Sequence, residues 1–423
     1  MVVPDHVASG TSFQQPHWFG EATGWNDAVL PSYDGGSIAN IAASVLVGLD
    51  IAPAPHLLPP LAPNILDPNM LNGAQTIVII VLDAYGSAAR ALGSGALTAC
   101  QQGVFVEQQI TSVFPSTTAA ALTSLQTGVA PGRHGMAGYT LHIPSSNKLI
   151  NMVTFKPVDA ANNTSPAVDP QTFLPVPTVY DLIREAGGEA AVVSHREYRR
   201  SPLTIVHSGD TRYRGHRTLA EFVHLLRAEV LQPANGKRLI FGYWAGIDML
   251  AHTWGPDSDV CRTEIALVEQ TLQREFLDPI ARTARDTAVV LTADHGQIGV
   301  SEADALPLHR LVSETGGWNR LPTGERRSAG ITFKHSEQRV FAEKIVGSRG
   351  IIVGLDYVLS HELYGPSPSH PELRARIGDA LLVARDGASF PFRPLTDQTS
   401  PSLGAHGSLT AQEMQVPLLV WRF

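Results

Sequence analysis

Four apolar runs, each closed by Gly, Asp or His, constrain this chain more than any other feature of its 423 residues: TIVIIVLDAYG (76 to 86), EAAVVSHREY (189 to 198), RLIFGYWAGID (238 to 248) and TAVVLTADHG (287 to 296). Their apolar character is continuous rather than alternating, which marks strands buried on both faces, as in a parallel sheet covered by helices. Helical patterns separate them at 179 to 186, 217 to 231 and 262 to 283. The alternation predicts a doubly wound α/β fold, a mostly parallel sheet with helices on both faces.

Two stretches break this rhythm, 140 to 176 and 297 to 400, and are expected as cap insertions around the site. The catalytic domain is expected to span 72 to 423. Residues 1 to 71 read as an N-terminal extension with one helix, opened by Ser37 and carrying Ile38, Ile41, Ala42, Val45, Leu46 and Leu49 on one face, then a proline-dense connector from 52 to 68.

Composition narrows the function. Hydrophobic residues at 43% and charged residues at 17% place the chain among folded globular proteins. A net charge of -8 with no basic run argues against a nucleic-acid-binding surface, so any phosphate handled here must meet a local positive site. Two cysteines, Cys100 and Cys261, form no disulfide framework and favour a reducing compartment. The first residues lack the basic and apolar regions of a secretory signal, and no stretch has the apolar length of a membrane span. A soluble, cytoplasmic protein is expected.

In open α/β sheets ligands bind beyond the carboxyl ends of the strands. Asp83, Asp248, Asp294 and His295 all stand at such ends. Each Asp taken alone also fits a helix cap or turn. Asp248 and His252 are four apart, which on a helix puts both side chains on one face. His406 lies between two glycines before a final apolar strand, where a histidine has little packing role.

The segment SVFPSTTAAALTSLQTG (112 to 128) predicts a helix over Ala119 to Thr127, stopped by Gly128, with Thr118 in its first turn. Unpaired N–H groups and the positive dipole end make that turn a good seat for a hydroxyl that attacks phosphorus. An N-cap role for this Thr-Thr pair is the structural alternative.

These residues carry a resemblance. Asp83 in VLDAYG, the FPSTT segment, RHGM, Asp248 with His252 before GP, ADHG and GAHG resemble, in order and spacing, the nucleotide pyrophosphatase/phosphodiesterase branch of the alkaline phosphatase superfamily. The resemblance covers about residues 76 to 423. It implies two zinc ions, with manganese or another divalent metal as the alternative. One would be held by Asp248, His252 and His406, the other by Asp83, Asp294, His295 and the Thr118 hydroxyl. It implies Thr118 as nucleophile, a phosphothreonine intermediate, and a small phosphate ester, phosphodiester or pyrophosphate, as substrate. The residue types suit this, since His nitrogen with Asp oxygen and no thiolate is a ligand set for hydrolytic zinc.

Two of three substrate-facing positions depart from the family pattern. Ala119 stands where nucleotide-cleaving relatives have an aromatic residue that stacks on the base, Tyr243 matches a second stacking tyrosine, and Tyr139 replaces an asparagine that holds a nonbridging oxygen. Ala119, Tyr139 and Tyr243 are thus the expected substrate contacts. Diesters are expected to be cleaved better than monoesters, because no arginine follows Thr118 to meet a dianion; the 297 to 400 insertion is where one would have to come from. The alternatives are a phosphomonoesterase or phosphonate hydrolase on the same scaffold, or a catalytically idle metal-binding protein.

Overall fold

The computed structural model describes residues 18–159, 164–392 and 402–423. Its centre is a seven-stranded sheet in the order Val104–Thr111, Gln415–Arg422, Thr287–Thr292, Thr76–Leu82, Arg238–Trp244, Glu189–His195, Arg212–His216. Strands from Thr287 to Arg212 in that order pair in parallel. The C-terminal strand runs antiparallel to both of its neighbours. The four expected runs are all strands, and the Thr76 and Thr287 strands are buried at every residue, which is why their sequences show no alternation.

Register carries this order into function. Leu82 pairs with Trp244 and Val81 with Thr292, so the chain leaves three adjacent strands at one edge. Asp83 and Asp294 follow there directly, and the helix Gly246–Trp254 begins two residues after its strand. Helices Val179–Glu185, Leu219–Leu231 and Asp259–Leu272 fall where the sequence placed them.

Ile38, Ile41, Ala42, Val45, Leu46 and Leu49 are all buried to within 1% of full, but the helix Ile41–Gly48 is enclosed almost all round rather than on one face. It joins the same apolar core as the sheet, together with Leu58, Leu61, Ile65, Leu66 and Leu71. Residues 1 to 17 of the expected extension lie outside the described residues.

Both irregular stretches build rims. Residues 140 to 157 form a three-stranded hairpin sheet, Thr140–Ile143, Lys148–Asn151 and Lys156–Pro157. The 297 to 400 stretch, whose last eight residues lie outside the described ones, carries a four-stranded antiparallel sheet ordered Thr323–Gly324, Ser328–Ile331, Ala380–Ala384, Gly350–Gly354. It has its own core around Leu308, Trp318, Ala342 and Phe390. No helix among the described residues is long and apolar enough to cross a membrane.

Candidate active site

Asp83, Asp248, Asp294, His295, His252 and His406 come together beyond the carboxyl ends of the central strands, although they span 324 positions of sequence. Each carboxylate is held by one oxygen or by its helix and presents the other. Asp294 Oδ1 accepts from Ala84 N at 3.3 Å and from His295 N at 3.0 Å. Asp83 Oδ2 accepts the hydroxyl hydrogen of Tyr243. The remaining Asp83 Oδ1 and Asp294 Oδ2, with Asp248 Oδ1, are buried and accept no hydrogen bond. An unpaired buried acceptor costs about 1–3 kcal/mol. Three of them at one point are a liability to the fold unless a cation meets them.

The three imidazoles share one orientation. His295 Nδ1 lies 3.0 Å from Gly296 O, His252 Nδ1 2.8 Å from Gly404 O, and His406 Nδ1 3.0 Å from Ser116 O. A carbonyl only accepts, so each Nδ1 carries the proton and each Nε2 turns a lone pair inward, as second-sphere contacts orient metal-binding histidines. His252 Nε2 is 3.2 Å from His406 Nε2 and 3.3 Å from Asp248 Oδ1; His406 Nε2 is 3.7 Å from the same oxygen. His295 Nε2 is 3.5 Å from Asp83 Oδ1 and 3.6 Å from Asp294 Oδ2. The rings of His295 and His406 stack at 3.8 Å. His295 thereby falls within 4.8 Å of both ligand groups, Asp83 with Asp294 and Asp248 with His406.

Charge explains why such a cluster suits divalent ions. Burial and then the neighbouring Asp294 and Asp248 push the Asp83 carboxyl well above the usual carboxylate range. Burial also raises Asp294. Asp248 feels the same burial, but the facing His252, His406 and His295 overcome it and hold it below its ordinary value. Burial and the adjacent His295 push His406 far down. Imidazole nitrogens and crowded carboxylates are a nitrogen and oxygen donor set without thiolate, and they fit zinc or manganese.

Thr118 opens the helix Thr118–Thr127, ended by Gly128 at φ +68°. Thr117 holds the N-cap position in extended conformation but its side chain makes no cap bond, so the pair does not act as a capping box. The first main-chain bond of the helix runs from Ala121 N to Thr117 O, which leaves the preceding amides at the dipole's positive end. Thr118 Oγ1 lies 3.1 Å from His295 Nε2. Nothing beside Thr118 in sequence announced a histidine; the fold supplies one.

Asp83, Asp248, His252 and His406 of the cluster face a cavity of about 660 Å³ that Thr118, Tyr139 and Tyr243 help to line. Tyr243 is buried with its hydroxyl on Asp83, so it orients a carboxylate rather than offering an open ring. Ala119 does not line the cavity: it is fully buried and belongs to the second apolar core together with Phe114 and Met136. Sequence reasoning missed Glu325 and Arg326, which reach the cavity wall from the cap. The only signal was a charged triplet, Glu325-Arg326-Arg327, inside an insertion.

The doubly wound sheet and the carboxylate–imidazole cluster at its strand ends define an alkaline phosphatase-like hydrolase. The chain belongs to the type I phosphodiesterase / nucleotide pyrophosphatase family, whose profile matches residues 96–409. That range holds every residue of the cluster except Asp83. Murine ectonucleotide pyrophosphatase / phosphodiesterase 5 superposes with a TM-score of 0.61 at 16% identity, over 82% of this chain and 88% of that one. Phosphonoacetate hydrolase from Sinorhizobium meliloti 1021, in complex with phosphonoformate, gives 0.61 at 19% identity, over 83% and 91%. The human ectonucleotide pyrophosphatase / phosphodiesterase 5 gives 0.56 at 17%, over 82% and 87%. At such identities the likeness speaks for the fold. No curated protein matches the sequence.

Proposed function

We propose that this chain is a two-metal hydrolase of phosphodiesters or pyrophosphates that acts through a phosphothreonine at Thr118. The single observation that carries this reading is the cluster of three unpaired carboxylate oxygens and three inward Nε2 atoms, one of which, His295 Nε2, meets the Thr118 hydroxyl at 3.1 Å. Asp248, His252 and His406 would hold one ion; Asp83, Asp294 and His295, with the Thr118 hydroxyl, the other. When bound, the ions supply Lewis acidity for the attacking and leaving oxygens and charge for the phosphoryl oxygens.

The chain's own residues do the rest. Thr118 Oγ1 attacks phosphorus in line, forming the Thr118 O–P bond as the leaving-group P–O bond breaks, and the hydroxyl proton ends on the departing oxygen. Amides of the first helical turn face the nonbridging oxygens. Tyr139, in the cavity wall, offers a hydroxyl where relatives have an amide. Tyr243 keeps Asp83 aimed, and the Nδ1 contacts keep the imidazoles aimed. Water then attacks the phosphothreonine: its oxygen bonds to phosphorus as the Oγ1–P bond breaks, and its proton passes to Oγ1.

Phosphonate hydrolysis is the second reading, and Arg326 in the cavity wall favours it, since a cation there suits a further acidic group. The unbridged Cys100 and Cys261 suit a cytoplasmic location. A hydrolysis screen of the zinc-loaded protein over diesters, monoesters, pyrophosphates and phosphonates tests the assignment. Turnover is expected in at least one class and lost on chelation; no turnover in any class would leave an idle metal-binding protein.

A further inference from the structure

Three consecutive charged side chains at the tip of the cap hairpin go to three different places. Arg327 is fully buried and forks onto Glu413, Nε to Oε1 at 3.0 Å and Nη2 to Oε2 at 2.7 Å. Glu413 also accepts from Ser408 N at 2.9 Å and from Thr410 Oγ1 at 2.6 Å. The hairpin tip is thus fastened to the loop that carries His406. Glu325 turns toward that loop, its Oε2 3.8 Å from His406 Nδ1, and a Cβ at Gly407 would sit 2.8 Å from Glu325 Cδ. Only glycine lets the two segments come this close.

Arg326 points to neither. It lines the cavity, its backbone carbonyl is fixed by Phe390 N at 2.7 Å, and its guanidinium makes no hydrogen bond or salt bridge to any described residue. Burial lowers its pKa, and its charge acts on the neighbouring His252. Arg327 already anchors the tip, so the fold has no further need of a cation here. A half-buried guanidinium has given up part of its hydration without gaining a partner. Its five donors lie in a fixed fork that matches the oxygens of a phosphate or carboxylate.

We propose that Arg326 is a specificity-determining residue that binds a second anionic group of the substrate, a phosphate or carboxylate joined to the phosphoryl centre on the His252 side. This rests on the reading of Thr118 as the site of attack, since the His252 set then faces the departing group. The substrate accordingly carries its second negative charge on the leaving group, which separates pyrophosphates and carboxylated phosphonates from simple diesters.

The test is isothermal titration of zinc-loaded wild type, Arg326→Gln and Arg326→Lys with three probes: methylenediphosphonate, phosphonoacetate and methylphosphonate. In Arg326→Gln the Kd for methylenediphosphonate, phosphonoacetate or both should rise roughly 10- to 100-fold more than the Kd for methylphosphonate. Whichever probe is affected identifies phosphate or carboxylate. Arg326→Lys should recover part of the difference, because it keeps the charge and loses the fork. Equal weakening of all three probes, or no preference of the wild type for the doubly anionic ones, would overturn the assignment. If Arg326→Gln shows no cooperative melt, Arg326→Lys decides alone, and an unchanged preference overturns the proposal. Hydrolysis of pyrophosphate and of phosphonoacetate by the zinc-loaded wild type is recorded beside it: Arg326-dependent binding without hydrolysis of either counts against the proposed function and leaves the assignment of Arg326 standing.

Discussion

Thr118 Oγ1 and His295 Nε2 stand 3.1 Å apart although 177 residues separate them in sequence. The contact joins the first turn of one helix to the loop after a central strand, and it places the hydroxyl against the cluster that would hold the metals. Thr118→Ala should therefore lower kcat by roughly 10³-fold or more, as loss of a covalent nucleophile does. The melting temperature should change little, since a hydroxyl at the first helical position carries no fold contact besides His295. Zinc at Asp248, His252 and His406 should remain. Near-wild-type turnover in Thr118→Ala with loss in Thr117→Ala would move the nucleophile by one residue.

Tyr243→Phe removes the one hydroxyl that holds Asp83. Contacts of this kind are worth roughly 10- to 100-fold in metal affinity. Zinc affinity measured by competition with a chelator should fall by that amount, with the fold intact. Unchanged affinity would show that Asp83 is aimed by other groups.

Acid sensitivity should trace in part to His207. Its Nδ1 accepts from Gln126 Nε2 at 3.1 Å and its Nε2 lies 2.8 Å from Thr123 Oγ1, a neutral tautomer sealed in the interior. Burial lowers its pKa from 6.5 to about 3. Between those values the unfolded chain holds a proton that the folded chain lacks, so unfolding free energy rises with pH. Stability is complete above pH about 6.5 and is lost as pH falls toward 3, by about 1.4 kcal/mol per pH unit for this group. Urea unfolding of His207→Gln from pH 6 to pH 4 should show a slope shallower by that amount. An unchanged slope would mean that His207 is charged in the folded protein.

What was legible in the sequence follows from burial. Strands covered on both faces show as unbroken apolar runs, and the Asp and His residues closing them were visible for the same reason. Val104–Thr111 and Arg212–His216 lie at the sheet's edges, half-exposed and polar, and gave no such signal. The helix at Thr118 was readable because Gly128 stops it. The burial of Ala119 was not legible, because one residue of helical rotation decides between cavity and core, and a run of three alanines does not mark which face is which. Arg326 was invisible for another reason: a hairpin tip in an insertion reaches the site through tertiary packing, here the buried pairing of Arg327 with Glu413.

Elemental analysis with anomalous scattering from crystals of the active enzyme tests the pair of metal ions most directly. Two divalent ions per chain are expected, roughly 4 Å apart, one among Asp248, His252 and His406 and one among Asp83, Asp294 and His295 beside Thr118. An active preparation with a single ion, or with none, would contradict this.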